Sequence, residues 1–491
     1  MKRFAALLAL ALLAGCAGSG AYFSDAGPQP AREPRALAAW PWQEVWTGVV
    51  FQGRKVGFAR LALRPAATPG RWEIATESAL QLRFLGIDKK VSLRAFDEVR
   101  ADLALERFRY EYHLDSSRLA VAGERDGDAL VVRTDSNGAR REQRLSLDAP
   151  TVPASALALL PAQRGLNVGE RARVAVFVGE SQSLEQAELR ALAHERSPLF
   201  EGAALRVATT LLGLETEAWY DAEARPLLET ALHGAMISAL EEPARARAYL
   251  VEASLNKDES LLEFSLLRSP PVREPRRTAA LTLSLEGVPA ALDVPGTAGQ
   301  RCVRDGARLE CRVDRRAAQS AGDASAAASY LRPSLAVPSN ERRFLELAQS
   351  IVAGAVDAEA RIERLLAWMD GNIAKAALDA FSAADVLRER RAECQGHAYL
   401  FAAFARALGL PTRVVNGVVY SAEHGGFLYH TWNEVWLEGA GWRAVDPTFG
   451  QSHADATHVA LAVGETPAAI APLAAMVGRA RVAAIGEVAH W

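Results

Sequence analysis

One stretch, residues 390–450, constrains this chain more than any other. It contains one cysteine, Cys394, then His430 in a run typical of a β-strand, and then Asp446 at the end of a second such run. A thiol, an imidazole and a carboxylate in that order supply a nucleophile, its base and the group that orients the base. We therefore predict Cys394, His430 and Asp446 as catalytic residues.

The residues after Cys394 have the spacing of a helix. Apolar and small side chains recur at helical intervals as far as Leu408, and Gly409 and Pro411 end the run. Cys394 is thus expected at a helix N-terminus, where unpaired backbone N–H groups and the helix dipole favour a thiolate. The same N–H groups can hold the oxyanion of a tetrahedral intermediate.

Three strands are predicted after this helix, at residues 412–420, 428–437 and 442–446. The last two form an antiparallel hairpin through a glycine-rich connection. A tight two-residue turn would place Asp446 opposite Asn433. Direct opposition of Asp446 and His430 instead requires a loop of about five residues or a bulge, which is what we expect here.

These residues resemble the transglutaminase-like superfamily of papain-related cysteine enzymes. Four blocks match the family pattern in order: Cys394 at a helix start, residues 409–414 (GLPTRV), residues 430–435 (HTWNEV) and residues 442–448 (WRAVDPT). Residues 454–458 (ADATH) also resemble a segment that follows the aspartate in bacterial members. The resemblance covers residues 338–463. It implies an α+β domain with helices packed on an antiparallel sheet, the triad named above, and no cofactor.

One position departs from the family pattern. Members usually carry glycine two residues before the cysteine, whereas this chain has Ala392. The turn that leads into the helix, and with it the oxyanion site, is therefore expected to differ.

A metal site around Cys394 and His397 is the alternative chemistry for this stretch. Zinc needs three or four convergent ligands, and no second Cys or His pair has the spacing of a zinc finger, so we predict no metal. Glu434 is expected to be a solvated strand residue rather than a part of the site. The tryptophans are expected in the wall of a cleft or in the core: Trp432, Trp436 and Trp442.

Residues 1–15 have the pattern of a bacterial signal peptide. Lys2 and Arg3 precede an apolar run, and residues 13–16 (LAGC) resemble the lipobox of lipoprotein precursors, which are cleaved before the cysteine and acylated on it. We therefore predict lipidation of Cys16. Ala17 at the next position implies sorting to the outer membrane, facing the periplasm. The apolar run is shorter than the roughly 20 residues of a membrane span.

The length of 491 residues indicates about three domains. The predicted parts are a flexible tether (16–39), a mainly antiparallel β domain (40–273), a small β module with a linker (274–330) and the catalytic domain (331–491). Three short helices are expected to interrupt the β domain: residues 157–160, 183–190 and 241–248. The tail from residue 467 is expected to form a short helix and a closing strand.

Two cysteines of the small module flank a hairpin-like stretch. An oxidising compartment permits a disulfide between Cys302 and Cys311, and the sequence leaves this open. Direct opposition of the two requires a four-residue loop at residues 305–308. A two-residue turn on Asp305 and Gly306 would pair Cys302 with Leu309 instead.

Helix starts in the catalytic domain are also marked. Ser339 or Asn340 is expected to cap one helix and Asp357 a second, and Ser382 with Asp385 forms a capping box for a third.

The formal net charge is only -3 and the basic residues are scattered, which gives no electrostatic case for a nucleic-acid partner. The sequence predicts a membrane-anchored envelope enzyme that cleaves or transfers the acyl group of an amide through a Cys thioester, with hydrolysis favoured. Its substrate would be a protein or peptide, cell-wall peptides included. The alternative is an inactive binding or scaffold lipoprotein.

Overall fold

The computed structural model describes residues 22–85, 87–256, 258–290, 292–316 and 324–491. The predicted signal peptide and Cys16 lie outside these ranges. Among the described helices, none combines the length and the apolar character that crossing a bilayer requires.

The N-terminal half is one sheet of 16 strands, antiparallel except where β10 meets β11. The strands are β1 (Ser24–Asp25), β2 (Glu44–Phe51), β3 (Arg54–Pro65), β4 (Trp72–Phe84), β5 (Ile87–Val99), β6 (Leu105–Leu114), β7 (Ser117–Asp126), β8 (Ala129–Ser136), β9 (Ala139–Ser146), β10 (Thr151–Pro153), β11 (Arg171–Val178), β12 (Ser183–Ser197), β13 (Phe200–Leu211), β14 (Leu214–Tyr220), β15 (Pro226–Ala231) and β16 (Met236–Leu240).

This sheet is curled so that its two edges approach each other. Strands β2 to β9 and β11 to β16 follow one another as hairpins, and β16 pairs back with β2. Strand β9 therefore ends one edge and β10 ends the other, although only residues 147–150 join them. Because five chain steps span at most about 18 Å, the two edges must lie close in space.

The inside of the curled sheet is filled by an apolar core. Buried side chains alternate along the strands, as Ala187, Leu189 and Ala191 do on β12. This period of two shows that the helix predicted at residues 183–190 is wrong, since the segment is the first half of a strand.

The other two predicted interruptions of the β domain are helical. Residues 154–158 form a 3-10 helix followed by α1 (Leu160–Gln163), and Leu159 and Leu160 enter the core of the curled sheet. After β16 come α2 (Pro243–Arg247), α3 (Tyr249–Leu255) and α4 (Ser260–Ser265).

The segment predicted to be a flexible tether is packed on the β domain over its described part, residues 22–39. Strand β1 pairs with β12. The backbone N–H of Arg32 donates to Asn167 Oδ1 at 2.8 Å, and its guanidinium donates to the carbonyl of Asp221 at 2.9 Å. Leu37 is buried in the core. These contacts hold residues 22–39 on the β domain, so the flexible tether predicted there is wrong for these residues. Composition alone does not reveal such contacts.

The C-terminal half contains three smaller sheets. Their strands are β17 (Leu267–Arg268), β18 (Thr278–Glu286), β19 (Gln300–Asp305), β20 (Arg308–Asp314), β21 (Ala374–Lys375), β22 (Arg391–Ala392), β23 (Thr412–Ser421), β24 (Gly426–Leu437), β25 (Gly441–Val445), β26 (Val459–Val463) and β27 (Arg481–His490). The five-stranded sheet that carries the site has the order β17-β24-β23-β26, with β25 also on β24.

Helices pack on one face of this five-stranded sheet. They are α5 (Ala324–Ala328), α6 (Arg342–Ile351), α7 (Ala358–Asn372), α8 (Ala383–Glu389), α9 (Cys394–Ala407) and, near the end, α10 (Pro467–Ala474). Phe344, Phe401 and Phe404 share a core with Val414 and Val435 of the sheet. The sheet therefore supports α9 directly.

The helix starts follow the predicted caps with one exception. Asp357 accepts a hydrogen bond from the Ala360 N–H at 2.8 Å, and the capping box of Ser382 and Asp385 is present, so both predictions are confirmed. Helix α6 begins after Glu341 rather than after Ser339 or Asn340.

The small module packs on the same face of the five-stranded sheet as α9, farther along β23 and β24. Its sheet has the order β19-β20-β18-β27, so the predicted closing strand near the end of the chain completes it. Leu283 and Leu285 of β18 pack against Val418 and Phe427 of the five-stranded sheet. The module is therefore one side of a shared core, not a separate body.

A disulfide joins Cys302 and Cys311, which lie directly opposite each other on β19 and β20. Asp305 pairs with Arg308, so the turn consists of Gly306 and Ala307. This two-residue turn differs from both predicted turns. Gly306 has a φ of 55°, a left-handed conformation that glycine adopts at little cost.

Candidate active site

Cys394 is the first residue of α9, after Glu393 in extended conformation. Gly396 compensates for Ala392, the residue that departs from the family pattern. The buried Ala392 methyl fills the space that a side chain on Gly396 would need. A Cβ built on Gly396 would lie 2.5 Å from the Ala392 Cβ and 2.9 Å from Val386 Cγ2. The glycine one turn into the helix thus accommodates the alanine before it.

Helix α9 and strand β24 are tied together, which sets Cys394 beside His430. Asn433, fully buried on β24, donates its side-chain N–H to the carbonyl of Ala398 on α9 at 3.1 Å. His430 lies three residues before Asn433, and the Cys394 thiol is near enough to its ring to help raise the pKa of His430. The structure therefore places the first two predicted residues side by side.

Asp446 reaches His430 from just beyond the end of β25. The hairpin pairs Asn433 with Val445 and Leu437 with Gly441, so the connection has three residues, 438–440. The expected five-residue loop or bulge is wrong, and so is the register of a two-residue turn. His430 and Asp446 need not be opposite each other, because the Asp446 side chain spans the gap and its Oδ2 lies 2.8 Å from His430 Nε2.

Four donors surround the Asp446 carboxylate. Oδ1 accepts the backbone N–H groups of Thr448 at 2.7 Å and Phe449 at 3.1 Å. Oδ2 accepts from Nε2 of His430 and from Nε2 of His458 at 2.9 Å. Burial works to raise the pKa of Asp446, but the charge of His430 and these hydrogen bonds outweigh burial and hold the pKa well below its usual range. Asp446 is therefore ionised.

The same contacts determine the state of His430. Its Nε2–H donates to Asp446, which leaves Nδ1 for the Cys394 thiol. Burial works to lower the pKa of His430, but the charges of Asp446 and then Cys394 outweigh burial and raise it to about 9. His430 is thus protonated at neutral pH.

Three further side chains surround His430, and sequence reasoning assigned no role to them. His458 donates to Asp446 from within the 454–458 segment that resembles the family. Phe449 stacks on the His430 ring at 5.0 Å between centroids, and the Arg276 guanidinium lies 4.1 Å from the Phe449 centroid. The resemblance of residues 454–458 to the family could have indicated His458. Arg276 is remote in sequence, and no sequence signal indicated it.

Glu434 is buried, and its prediction as a solvated residue is wrong. Only 1% of it is exposed. Its carboxylate accepts two hydrogen bonds from the Arg413 guanidinium, at 2.8 and 2.5 Å, and one from the N–H of Ala298 at 3.0 Å. This pair links β23 and β24 to the segment before β19, so its role is structural. Trp432 is also fully buried, and its ring lies 6.2 Å from that of His430.

One group of possible metal ligands occurs among the described residues. Ligand atoms of His430, Asp446 and His458 lie within 4.8 Å of one another. Both Nε2 atoms approach the same carboxylate oxygen at hydrogen-bonding distance, which accounts for the arrangement, and we assign it no metal. His397 is not in this group, since its Nδ1 faces the carbonyl of Glu393 at 2.9 Å.

The β domain reaches the residue that precedes the nucleophile. Lys89, buried on β5, lies 2.7 Å from Asp379 and 3.6 Å from Glu393. Burial raises the pKa of Glu393 well above its usual range, and the charge of Asp379 adds to this, so Lys89 and Asp379 form the ion pair. The start of α9 is therefore held by a contact between the two halves of the chain.

Comparison with known proteins identifies the domain that carries these residues. Residues 345–447 match the model of the Transglutaminase-like superfamily. Kyphoscoliosis peptidase of Mus musculus is 37% identical over 86 residues, which are 16% of this chain and 13% of that protein. The Homo sapiens protein of that name is 37% identical over 84 residues, 16% of this chain and 12% of its own length.

A solved structure of a candidate cysteine protease from Cytophaga hutchinsonii is also similar. It shares 17% sequence identity over 44% of this chain and 86% of its own, with a TM-score of 0.29, and we draw no argument from so distant a likeness. The family match rests on residues 345–447 alone. Those residues, which include Cys394, His430 and Asp446, form a domain of the transglutaminase-like superfamily.

Proposed function

We propose that this chain is a cysteine enzyme that cleaves or transfers the acyl group of a peptide or amide bond through a thioester on Cys394. The observation that carries the proposal is the position of His430 between the Cys394 thiol, which helps raise the pKa of the ring, and an ionised Asp446, whose Oδ2 lies 2.8 Å from His430 Nε2. The position of Cys394 as the first residue of α9 supports it.

The reaction follows from this geometry. His430 Nδ1 takes the thiol proton, and the thiolate attacks the substrate carbonyl carbon. The first N–H groups of α9 have no acceptor within the helix and can stabilise the oxyanion. When the C–N bond breaks, the imidazolium gives its proton to the leaving amine. Asp446 keeps the imidazole in the tautomer with Nε2–H and stabilises its charged form.

The thioester then reacts with water or with a second amine. His430 takes a proton from the attacking group, the C–S bond breaks, and the thiol is restored. Water yields a carboxylic acid and makes the protein a peptidase or amidase, whereas a lysine amine yields a cross-link. We favour hydrolysis, because the curated relatives that match this domain are named as peptidases.

A thiol-directed probe that carries an amide tests the nucleophile. We expect rapid labelling of the wild-type protein, no labelling of Cys394→Ala, and slow labelling of His430→Ala. His424→Ala is the matched control, because His424 is bonded to Ser421 in a loop of the same sheet. Equal labelling of wild type and His430→Ala would show that the cysteine is not activated. That result would favour the alternative of an inactive binding or scaffold protein.

The acceptor is identified by mass. The purified protein is incubated with cell-wall peptides, and separately with casein and a labelled amine. A gain of one water across a cut peptide shows hydrolysis, and incorporation of the amine with loss of ammonia shows transfer. Neither change should occur with Cys394→Ala.

We also propose the envelope location, on the strength of the first 16 residues. A membrane-anchored form requires acylation of Cys16. Cells fed a labelled fatty acid should incorporate it into the wild-type chain and not into Cys16→Ala. Labelling of the alanine variant would contradict lipidation at this site.

A further inference from the structure

His458 combines complete burial with two polar contacts that a neutral ring cannot make together. Its Nε2 lies 2.9 Å from Asp446 Oδ2. Its Nδ1 lies 3.1 Å from the backbone carbonyl of Asp455 and 3.4 Å from Asp455 Oδ1. All these partners are acceptors. A neutral imidazole has one N–H and one lone pair, so either tautomer would direct a lone pair at an oxygen. Only the imidazolium satisfies both sides.

We propose that His458 is a positioning residue, a permanently protonated imidazolium that bridges Asp446 and Asp455 and holds the Asp446 carboxylate in the orientation that His430 requires. The proposal rests on the proposed function, because it assigns a task within the same site. Residue 458 lies beyond the matched residues 345–447, so that match assigns it no role, and the resemblance of residues 454–458 to the family names no task for it.

The far side of His458 is built to keep it charged. Asp455 accepts hydrogen bonds from the Thr457 N–H at 2.9 Å, from Gln451 at 3.0 Å and from the Arg276 guanidinium at 2.8 Å. Burial works to raise the pKa of Asp455, but the charges of His458 and Arg276 outweigh burial and lower it. Asp455 is therefore a fixed anion that faces the imidazolium.

Several charged groups lie close to His458. Asp446 and Asp455 contact the ring directly. His430 lies 5.6 Å away between ring centroids, and the buried Arg315 guanidinium donates to the backbone carbonyl of His458 at 3.1 Å. Burial works to lower the pKa of His458, but Asp455 and Asp446 outweigh it and raise the pKa above its usual value.

These groups form a row of alternating charge whose two end residues are partly exposed. The row runs from Cys394 through His430, Asp446, His458 and Asp455 to Arg276. When Cys394 is a thiolate, neighbouring ions in the row have opposite signs and the charges sum to zero. Such pairing is what allows several ions to be buried together.

The task of His458 follows from the change of charge that His430 undergoes in each turnover. Oδ1 of Asp446 is held by two backbone N–H groups, but Oδ2 has only the two histidines as side-chain donors. Without His458, the only side-chain group that holds Oδ2 would be the residue that gains and loses a proton. A second, constant donor keeps the carboxylate in place through both states.

His458 also packs against Trp432, at 5.2 Å between ring centroids, so it could serve only to fill the core. Two substitutions separate these roles. In His458→Gln the side-chain amide retains a donor on the Asp446 side. In His458→Asn the shorter amide retains a donor on the Asp455 side and loses the one to Asp446.

The rate of Cys394 alkylation by iodoacetamide, measured from pH 4 to 10, reports the state of the site without a known substrate. We expect His458→Asn to lower the rate at pH 7 by about tenfold or more, as loss of a charged hydrogen bond implies. We expect His458→Gln to remain within about threefold of wild type. Equal losses in both variants would indicate core filling only, and no loss in His458→Asn would also overturn the proposal.

A measurement on the wild-type protein covers the case in which a variant does not fold. Ring nitrogen shifts of 15N-labelled histidine should show His458 with both nitrogens protonated at pH 7, whereas a neutral ring at that pH would refute the proposal. His430→Ala separates this outcome from failure of the proposed function. If Cys394 of the His430→Ala variant is alkylated as fast as Cys394 of wild type, the enzyme assignment fails. The protonation state of His458 is still measured independently.

Discussion

Replacing Asp446 with asparagine tests the arrangement of the site directly. The change keeps the shape of the side chain and removes its charge. The amide oxygen can still accept the N–H groups of Thr448 and Phe449, but the amide NH₂ then faces Nε2–H of both His430 and His458. Two donors cannot bond each other. His430 is therefore driven to the tautomer with its proton on Nδ1, where it cannot accept the Cys394 proton.

The size of the effect follows from the pKa of His430. Its value of about 9, against an ordinary 6.5, is about 2.5 units higher. At about 1.4 kcal/mol per unit this is about 3.5 kcal/mol, or roughly three hundredfold in the protonation equilibrium of His430. Because Asp446 is the largest cause that raises this pKa, most of the effect should be lost with its charge. The wrong tautomer adds to it, so we expect a loss of about 10²–10³-fold in the alkylation rate of Cys394 at pH 7.

The assay is the loss of free Cys394 with time in excess iodoacetamide, followed by intact mass. The matched control is Asp370→Asn, which removes an exposed carboxylate paired only with Lys375 at 3.4 Å. The control should react at the wild-type rate, and thermal unfolding should show that both variants are folded. A folded Asp446→Asn that reacts within threefold of wild type would refute the role of the carboxylate.

Four further predictions concern the pH dependence of turnover and of stability, the packing around Gly396, and a buried ion pair. Turnover of an amide substrate should fall as pH rises through about 9, because His430 then has no proton for the leaving amine. Alkylation of Cys394 should persist over the same pH range. A parallel decline of turnover and alkylation would contradict this prediction. The raised pKa also means that the His430 contribution to the free energy of unfolding is full below about 6.5 and is lost as pH rises through about 9, which urea titrations of wild type and His430→Ala should show. Gly396→Ala should destabilise the fold by about 1–3 kcal/mol, since the new Cβ would lie 2.5 Å from the Ala392 Cβ, and adding Ala392→Gly should recover most of the loss in urea unfolding. Arg413→Met should cost about 3–5 kcal/mol by leaving Glu434 buried without its partner, and Arg413→Met with Glu434→Leu should be more stable than the single variant.

Local signals predicted much of the catalytic half. The caps at Asp357 and Ser382 are set by hydrogen bonds within four residues, so a short window of sequence contains all that determines them. Helix α9 and the strands after it follow in the same way from the periodicity of their apolar residues. The order of Cys394, His430 and Asp446 indicated which three side chains to consider, and the structure brings them into contact.

What the sequence did not reveal depends on contacts between distant segments. Connections of two, three or five residues are all compatible with a glycine-rich stretch, so the register that places Asp446 one residue past β25 could not be chosen in advance. Lys89 meets Glu393 only because two domains pack together. The short β17, which pairs with β24, carries no periodicity of its own.

Strand β17, the small module and Lys89 all contact the part of the fold that carries the candidate site. These contacts determine which fragment of the chain should fold with the site intact. A fragment that starts at residue 331 would expose Val418 and Phe427 of its sheet, which Leu283 and Leu285 normally cover, and would leave β27 without its partner β18. It would also leave Asp379 and Glu393 without their cation. The folded unit therefore begins before β17 rather than at residue 331, and excising the family-matched region alone should yield an insoluble product.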